Sequence, residues 1–181
     1  MNAASLVHSW DLSVGLDHGL FYLLTDDPYT GAAIEEHRLT EHAAAGPGIA
    51  QHFGTIVVTS PHPRNYAMPL RVEVWDADPA DSQEGWQEVF ETDLKVGRDG
   101  LVYDSPNLSS FKMPVPAGEY HAVISGQGFS QHERTNTTTP GDRWRIQLHP
   151  CTGKHEAVRL RSWLDTLVPE EIDEVDERLT S

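Results

Sequence analysis

Two groups of acidic side chains are the residues of this sequence best suited to bind another molecule. The first group comprises Asp76, Asp78, Asp81 and Glu84, and the second comprises Glu170, Glu171, Asp173, Glu174, Asp176 and Glu177. Carboxylates clustered on exposed segments attract a basic protein over a long range and raise its association rate. We therefore predict that both groups bind a basic protein partner.

The charge of the whole chain points the same way. Its 28 acidic residues outnumber 13 basic ones, which gives a net charge of −15 with histidine neutral. Such a charge repels the phosphates of nucleic acids and anionic membrane surfaces, so we expect direct binding to neither. A large net charge also keeps a protein soluble, and that simpler explanation stays open.

The ten histidines raise the question of a metal site. His37 and His42 are five residues apart, which places them about 140° apart on a helix, whereas a helical metal pair needs a spacing of three or four. The other candidates can meet only through the fold: His8, His52, His121, His132, His149 and His155. The single cysteine, Cys151, excludes an intrachain disulfide and a cysteine-based zinc site, and we expect a small buried thiol there. We predict no metal site and no cofactor.

Catalytic motifs are also lacking in the sequence. It contains no Gly-x-Ser-x-Gly elbow, and Ser125-Gly-Gln-Gly-Phe129 lacks the third glycine and the helix of a phosphate-binding loop. Glu73, Glu88 and Glu91 lie on predicted strands, where we expect a solvated face rather than an acid–base pair. These observations favour a non-enzymatic binding protein. The alternative is a small β-barrel protein or enzyme that binds a metal or ligand at a site assembled from separated strands.

The elements that position these residues are predicted to be strands. Apolar and polar residues alternate with period two in most of the segments, Thr55–Thr59 is instead a β-branched run suited to a buried strand, and turn residues separate the segments. The segments are Leu6–Val14, Leu20–Thr25, Thr55–Thr59, Pro69–Asp76, Trp86–Val96, Leu101–Tyr103, Phe111–Val115, Tyr120–Ile124 and Trp144–Leu148. This pattern predicts a mainly β protein with an antiparallel β-sandwich or a barrel-like fold.

Two further segments have the properties of helices. Ala32–Ala45 is rich in Ala, Glu and His and stops before a Gly-Pro-Gly sequence, which predicts one short inserted helix. Lys154–Val168 has apolar residues at helical intervals, which predicts a C-terminal helix that packs on the strands. These apolar residues are Ala157, Leu160, Leu164 and Leu167.

The domain organisation follows from these elements. We expect residues 1–168 to form a single β-sandwich domain with the C-terminal helix, and residues 169–181 to form a flexible acidic tail. The N-terminal residues lack the basic and apolar regions of a secretory leader, and no segment has the roughly 18 apolar residues of a transmembrane helix. We therefore expect a cytoplasmic protein. Nothing in the sequence predicts its oligomeric state.

The order of strands and turns over residues 5–150 resembles that of the competence protein J family. The matching positions are Ser9-Trp10, Leu12-Ser13, Leu20-Phe21, Gly48-Ile49, Val72-Glu-Val74, Gly100-Leu101-Val102 and Pro116-x-Gly118-x-Tyr120. Proteins of that family are associated with the inhibition of a DNA-entry nuclease. The resemblance therefore implies an inhibitor or immunity-type protein whose basic partner is a nuclease.

Overall fold

The alternation of apolar and polar residues produces strands over most of the chain. The computed structural model describes residues 3–25, 32–52, 54–80, 83–131, 133 and 137–167. Within them the strands are β1 (Leu6–Leu16), β2 (Leu20–Thr25), β3 (Ile49–His52), β4 (Thr55–Thr59), β5 (Asn65–Trp75), β6 (Glu88–Val96), β7 (Leu101–Asp104), β8 (Phe111–Met113), β9 (Gly118–Gln127), β10 (Arg143–Pro150) and β11 (Val158–Arg161). The helical elements are α1 (Ala32–Ala45) and a 3₁₀ turn, Trp163–Thr166. Neither is long and apolar enough to cross a membrane. The predicted helix at α1 and the predicted strands at β2 and β4 are confirmed with the same bounds.

These strands form two sheets. The six-stranded sheet has the order β1-β5-β10-β9-β6-β11, and the five-stranded sheet has the order β3-β4-β2-β7-β8. Every pairing of the described strands is antiparallel except that of β5 with β10, which is parallel. The prediction of a mainly β, two-sheet fold is confirmed. Neither sheet closes into a barrel in the part of the chain that the structure describes.

The inner faces of the two sheets share one apolar core. Phe21 of β2 packs edge-on against Trp144 of β10, with ring centroids 5.2 Å apart, and Phe90 of β6 stacks on the same indole at 6.4 Å. Ile146, which the alternation places on the inner face, is fully buried on β10 between β5 and β9. A Cβ at Gly126 would lie only 2.7 Å from the ring of Phe129, so glycine is needed where this ring packs.

The predicted C-terminal helix over Lys154–Val168 is wrong. Its middle residues form β11, which pairs with β6 as an edge strand, and the 3₁₀ turn follows. A helix there would leave the main-chain groups along this edge of β6 without strand partners, and β11 satisfies them. The helical spacing of the leucines does not reflect packing, because Leu160 and Leu164 are 53% and 50% exposed. Trp163, which is 3% exposed, docks the segment instead.

A buried carboxylate fixes this segment to the sheet. Glu88 is 2% exposed, and its Oε1 accepts a hydrogen bond from the backbone amide of Trp163 at 2.8 Å. The Nε atom of Arg159 on β11 lies 3.3 Å from the Oε2 of Glu88. Gly48 has a φ of 76°, and a Cβ there would lie 2.0 Å from the Arg159 guanidinium. Glycine at this position therefore leaves room for the ion pair.

The connection from β5 to β6, residues 76–87, crosses the outer face of the six-stranded sheet. It must do so because β10 and β9 lie between β5 and β6. The Oγ of Ser125 donates a hydrogen bond to Gln83 of the connection at 3.0 Å. Arg161 donates to the backbone carbonyls of Gln83 and Trp86 at 2.6 and 2.8 Å. These contacts hold the predicted acidic segment against the sheet.

Candidate functional site

The outer face of the six-stranded sheet presents its polar side chains in rows. Side chains alternate across each strand, so the register of β5, β10, β9 and β6 decides which outward-facing residues are neighbours. The first row is Arg71, Arg145, Ser125 and Val89, the second is Glu73, Gln147, Val123 and Glu91, and the third is His149, His121 and Asp93. The third row therefore brings two imidazoles beside a carboxylate.

The first predicted acidic group lies on the connection that crosses this face. Asp76, Asp78 and Glu84 are all exposed, while Asp81 lies outside the described residues. Asp76 accepts a hydrogen bond from the backbone amide of Ser5 at 2.7 Å, and Asp78 accepts one from that of Ala80 at 2.8 Å. Each bond uses one carboxylate oxygen, so these side chains are positioned and remain accessible to a partner.

The second predicted acidic group lies outside the described residues. It comprises Glu170, Glu171, Asp173, Glu174, Asp176 and Glu177. Its part in binding a partner therefore stays a prediction from the sequence.

A pocket of about 310 Å³ lies between the acidic connection and the sheet. The connection contributes Asp78, Pro79, Ala80 and Gln83, and the sheet contributes Glu91, His121, Val123, Gln147 and His149. Burial lowers the pKa of His149 below its ordinary value, although the nearby Asp78 carboxylate acts in the opposite direction. The His149 imidazole, when neutral at pH 7, does not offset the negative charges of Asp78 and Glu91, the two carboxylates that line the pocket.

Glu73 and Glu88 do not form the solvated face that we expect from the sequence. Glu73 is 7% exposed and accepts hydrogen bonds from Arg71 Nε at 2.6 Å, Gln147 Nε2 at 3.0 Å and Trp75 Nε1 at 3.1 Å. Burial alone would raise the pKa of Glu73, but these three donors outweigh it and hold the pKa below its ordinary value. This carboxylate serves the fold, and of the three glutamates only Glu91 is partly exposed.

A second cleft, of about 460 Å³, adjoins Glu73 and has a different character. Arg71, Arg143 and Arg145 line it together with Asp11 and Glu73. Arg71 Nη1 lies 2.8 Å from both carboxylate oxygens of Asp11. Because arginines accompany the acids here, this cleft suits a basic partner less well than the pocket beside Asp78.

A cluster of nitrogen, oxygen and sulfur groups lies at the other end of the outer face. Asp93 Oδ1 is 2.9 Å from His155 Nδ1 and 3.3 Å from His121 Nδ1, and Asp93 Oδ2 accepts a hydrogen bond from the His155 backbone amide at 2.7 Å. Burial acts to raise the pKa of Asp93, but these hydrogen bonds lower it overall. One ligand atom each of Asp93, Cys151 and His155 lies within 4.8 Å of the other two. The expected buried thiol is wrong, since Cys151 is partly exposed.

Sequence reasoning did not find this cluster, although part of its signal was present. Strand alternation puts His121 and His149 on the outer faces of their predicted strands. The pairing of β9 with β10 then makes them direct neighbours, with ring centroids 5.1 Å apart. Cys151 follows directly on β10 beside β9, and His155 comes to the cluster because the segment after β10 returns to β6 as a strand.

A second polar centre is sealed inside the protein. His62 and Asp142 both have 0% side-chain exposure, and His62 Nδ1 lies 2.7 Å from Asp142 Oδ1. Asn65 donates to the same oxygen at 3.0 Å, and His62 Nε2 lies 3.1 Å from the carbonyl of Ser130. A histidine oriented by a carboxylate is a common catalytic pair, but this one cannot reach a substrate. It ties the segment after β9 to the chain between β4 and β5.

Comparison with known proteins gives a likeness of fold. No family model matches the chain, and no curated protein matches it. Among solved structures, ComJ of Bacillus subtilis, an inhibitor of the DNA-degrading activity of NucA, superposes with a TM-score of 0.52 at 13% identity. The fold is similar to that of ComJ. The likeness covers 83% of this chain and 100% of that chain. A protein described as crocagin biosynthetic gene J gives a TM-score of 0.48 at 12% identity, over 82% of this chain and 99% of that one.

Proposed function

We propose that this chain is a non-enzymatic, acidic binding protein of the inhibitor or immunity type, and that its partner is a basic protein such as a nuclease. The observation that carries the proposal is the pocket between the acidic connection, which contributes Asp78, and the outer face of the sheet, which contributes Glu91. The similarity in fold to an inhibitor of a DNA-degrading protein supports it. We place the interaction in the cytoplasm.

The pocket suits the insertion of a basic side chain. Its volume of about 310 Å³ accommodates a lysine or arginine side chain, with Asp78 on the connection and Glu91 on β6 as its counter-ions. Gln83 and Gln147 line the same pocket and add amide groups for hydrogen bonding. A buried charged pair of this kind contributes more to specificity and residence time than a charge on the rim of an interface.

The exposed acids around the pocket have a different role. Asp76 and Glu84 lie on the same connection and attract a basic surface from a distance. If the partner is a nuclease, these carboxylates compete with DNA phosphates for the lysine and arginine side chains that bind DNA. Inhibition by this route needs no catalytic residue in the inhibitor.

The test is a series of association rates measured against salt concentration, with a partner recovered from the native host. Asp76→Asn, Asp78→Asn and Glu84→Gln are combined in one variant. We expect the association rate of the wild type to fall steeply between low and physiological salt, where the Debye length shrinks to about 8 Å. The triple variant should associate about tenfold more slowly at low salt, with a smaller change in dissociation rate.

A matched control separates local charge from total charge. Glu41→Gln, Asp99→Asn and Asp104→Asn remove the same number of charges from α1, the β6–β7 turn and β7, which lie away from this pocket. This control should keep a rate within about twofold of the wild type. Equal slowing in both triple variants, or an association rate that does not depend on salt, would rule out the outer face as the binding surface.

A further inference from the structure

The structure assigns a second site to the end of the outer face: we propose that Asp93, Cys151 and His155 bind a zinc ion. Their ligand atoms, one from each side chain, all lie within 4.8 Å of one another. In a tetrahedral zinc site with Zn–S of 2.3 Å and Zn–N of 2.0 Å, neighbouring ligand atoms are about 3.5 Å apart. No separation therefore needs to shorten by more than about 1.3 Å, while Asp93 Oδ1 and His155 Nδ1, now 2.9 Å apart, move slightly apart to admit the ion, and rotation of partly exposed side chains allows both changes.

Rigid elements hold the ligands in place. Asp93 lies on β6, which has a strand partner on each side. The backbone amide of Cys151 donates to the carbonyl of Glu119 on β9 at 3.0 Å, which extends the pairing of β9 with β10 up to the cysteine. His155 is joined to Asp93 through its own backbone amide at 2.7 Å. Asp93 and Cys151 are thus fixed by strand pairing, and the backbone of His155 is held by the Asp93 carboxylate.

His121 is suited to position the carboxylate ligand. It is 8% exposed, its Nδ1 lies 3.3 Å from Asp93 Oδ1, and its ring centroid lies 4.4 Å from that of His155. Zinc ligands are commonly oriented by a second group that hydrogen-bonds to them, and such partners tune affinity by tenfold to a hundredfold. We assign this positioning role to His121 and leave the fourth zinc position to water.

The mixture of donor atoms selects the class of metal. Thiolate and imidazole are poor ligands for Mg²⁺ and Ca²⁺, which prefer shells of oxygen atoms. Zinc accepts sulfur, nitrogen and carboxylate oxygen in one tetrahedral site. A single cysteine is sufficient in such a mixed site, in contrast to sites built mainly from cysteines.

The experiment uses the full chain after treatment with a chelator. Zn²⁺ binding is measured by calorimetry, and Co²⁺ is used as a spectroscopic probe whose thiolate charge-transfer band reports sulfur coordination. We expect one equivalent of Zn²⁺ to bind, a thiolate band with Co²⁺, and protection of Cys151 from alkylation by zinc. Cys151→Ser and His155→Ala should each weaken Zn²⁺ binding by about a hundredfold or more.

Two further variants distinguish a built site from general histidine binding. His121→Ala should weaken Zn²⁺ binding by about tenfold and keep the thiolate band, because the sulfur ligand is unchanged. His37→Ala removes an exposed histidine of α1 whose ring lies beside Glu41, and it should leave both readouts unchanged. Absence of the thiolate band in wild type, or equal Zn²⁺ affinity in wild type and Cys151→Ser, would overturn the proposal. Circular dichroism of each variant checks that a loss of binding does not reflect unfolding.

Discussion

Carboxylates at the two ends of the outer face have opposite surroundings. Near β5 and β10, Glu73 is buried and accepts three hydrogen bonds from side chains, including one from an arginine that is always charged. Near β6 and β9, Glu91 and Asp93 are partly exposed and lie next to histidines. The same residue types on the same face therefore serve the fold at one end and remain available for a ligand at the other.

The kind of cationic neighbour explains the difference. Arginine keeps its charge over the whole physiological range and fixes a carboxylate in one geometry through its planar donors. Histidine offers a single ring nitrogen to a carboxylate oxygen and lacks the planar fork of donors that fixes both oxygens, so a carboxylate beside it is held less rigidly. Acidic residues paired with arginine are consequently poor candidates for binding a basic partner or a metal, and those beside histidine are good ones.

The largest effect that would test this contrast is on stability. Glu73→Ala removes the acceptor shared by Arg71, Gln147 and Trp75, and leaves the buried amide of Gln147 without this partner. We expect a loss of about 2–3 kcal/mol in the free energy of unfolding, measured by denaturant titration. Glu91→Ala is the matched control, and its cost should stay within about 0.5 kcal/mol. Similar costs for the two variants would contradict the division between the two ends.

A pH series tests the same idea with a smaller effect. The pKa of Glu73 is lowered in the folded protein, so its stabilisation is present above the unfolded value of about 4.3 and is lost as the pH falls through the folded pKa. Burial raises the pKa of Glu88, with partial compensation from the Trp163 amide and Arg159. Its contribution has the opposite sign, because protonation of Glu88 favours the folded state.

Isosteric variants make the two signs measurable. In Glu73→Gln the melting temperature should fall less steeply than in wild type below about pH 4. In Glu88→Gln it should fall more steeply than in wild type on acidification, since the variant lacks the gain from protonation. If plots of melting temperature against pH were parallel for wild type and both variants between pH 6 and pH 3, neither carboxylate would have a shifted pKa.

Much of this architecture follows from local patterns. Period-two alternation correctly placed Ile146 on the inner face, and the β-branched run Thr55–Thr59 located β4, both from the sequence alone. Pairing is not a local property. The parallel neighbours β5 and β10 are separated in the chain by four strands, β6 to β9, from both sheets. The insertion of β10 and β9 between β5 and β6 is what takes the acidic connection across the outer face.

The candidate sites depend on this long-range pairing even more strongly. In the sequence, Glu73 is predicted to face outward into solvent. In the structure it is covered by hydrogen-bond donors from Trp75 on its own strand and from Gln147 on the neighbouring strand β10. Helical spacing at Leu160 and Leu164 predicted a helix there, because the open edge of β6 that a strand can pair with is not visible in the sequence. Placing that segment as β11 is also what brings His155 to Asp93.

The smallest expected effect concerns the acidic group beyond the described residues. From Glu170 to Glu177 the sequence has six acidic residues and two apolar ones, Ile172 and Val175. So little apolar surface contributes little to folding, and we expect truncation after Val168 to change the melting temperature by no more than a few degrees. If these acids attract a basic partner as we propose for Asp76, Asp78 and Glu84, the same truncation should slow association with a basic protein at low salt but not at high salt. Thermal melting and stopped-flow binding on one truncated chain measure both quantities. A large loss of stability would show that the segment, like Glu73, stabilises the fold.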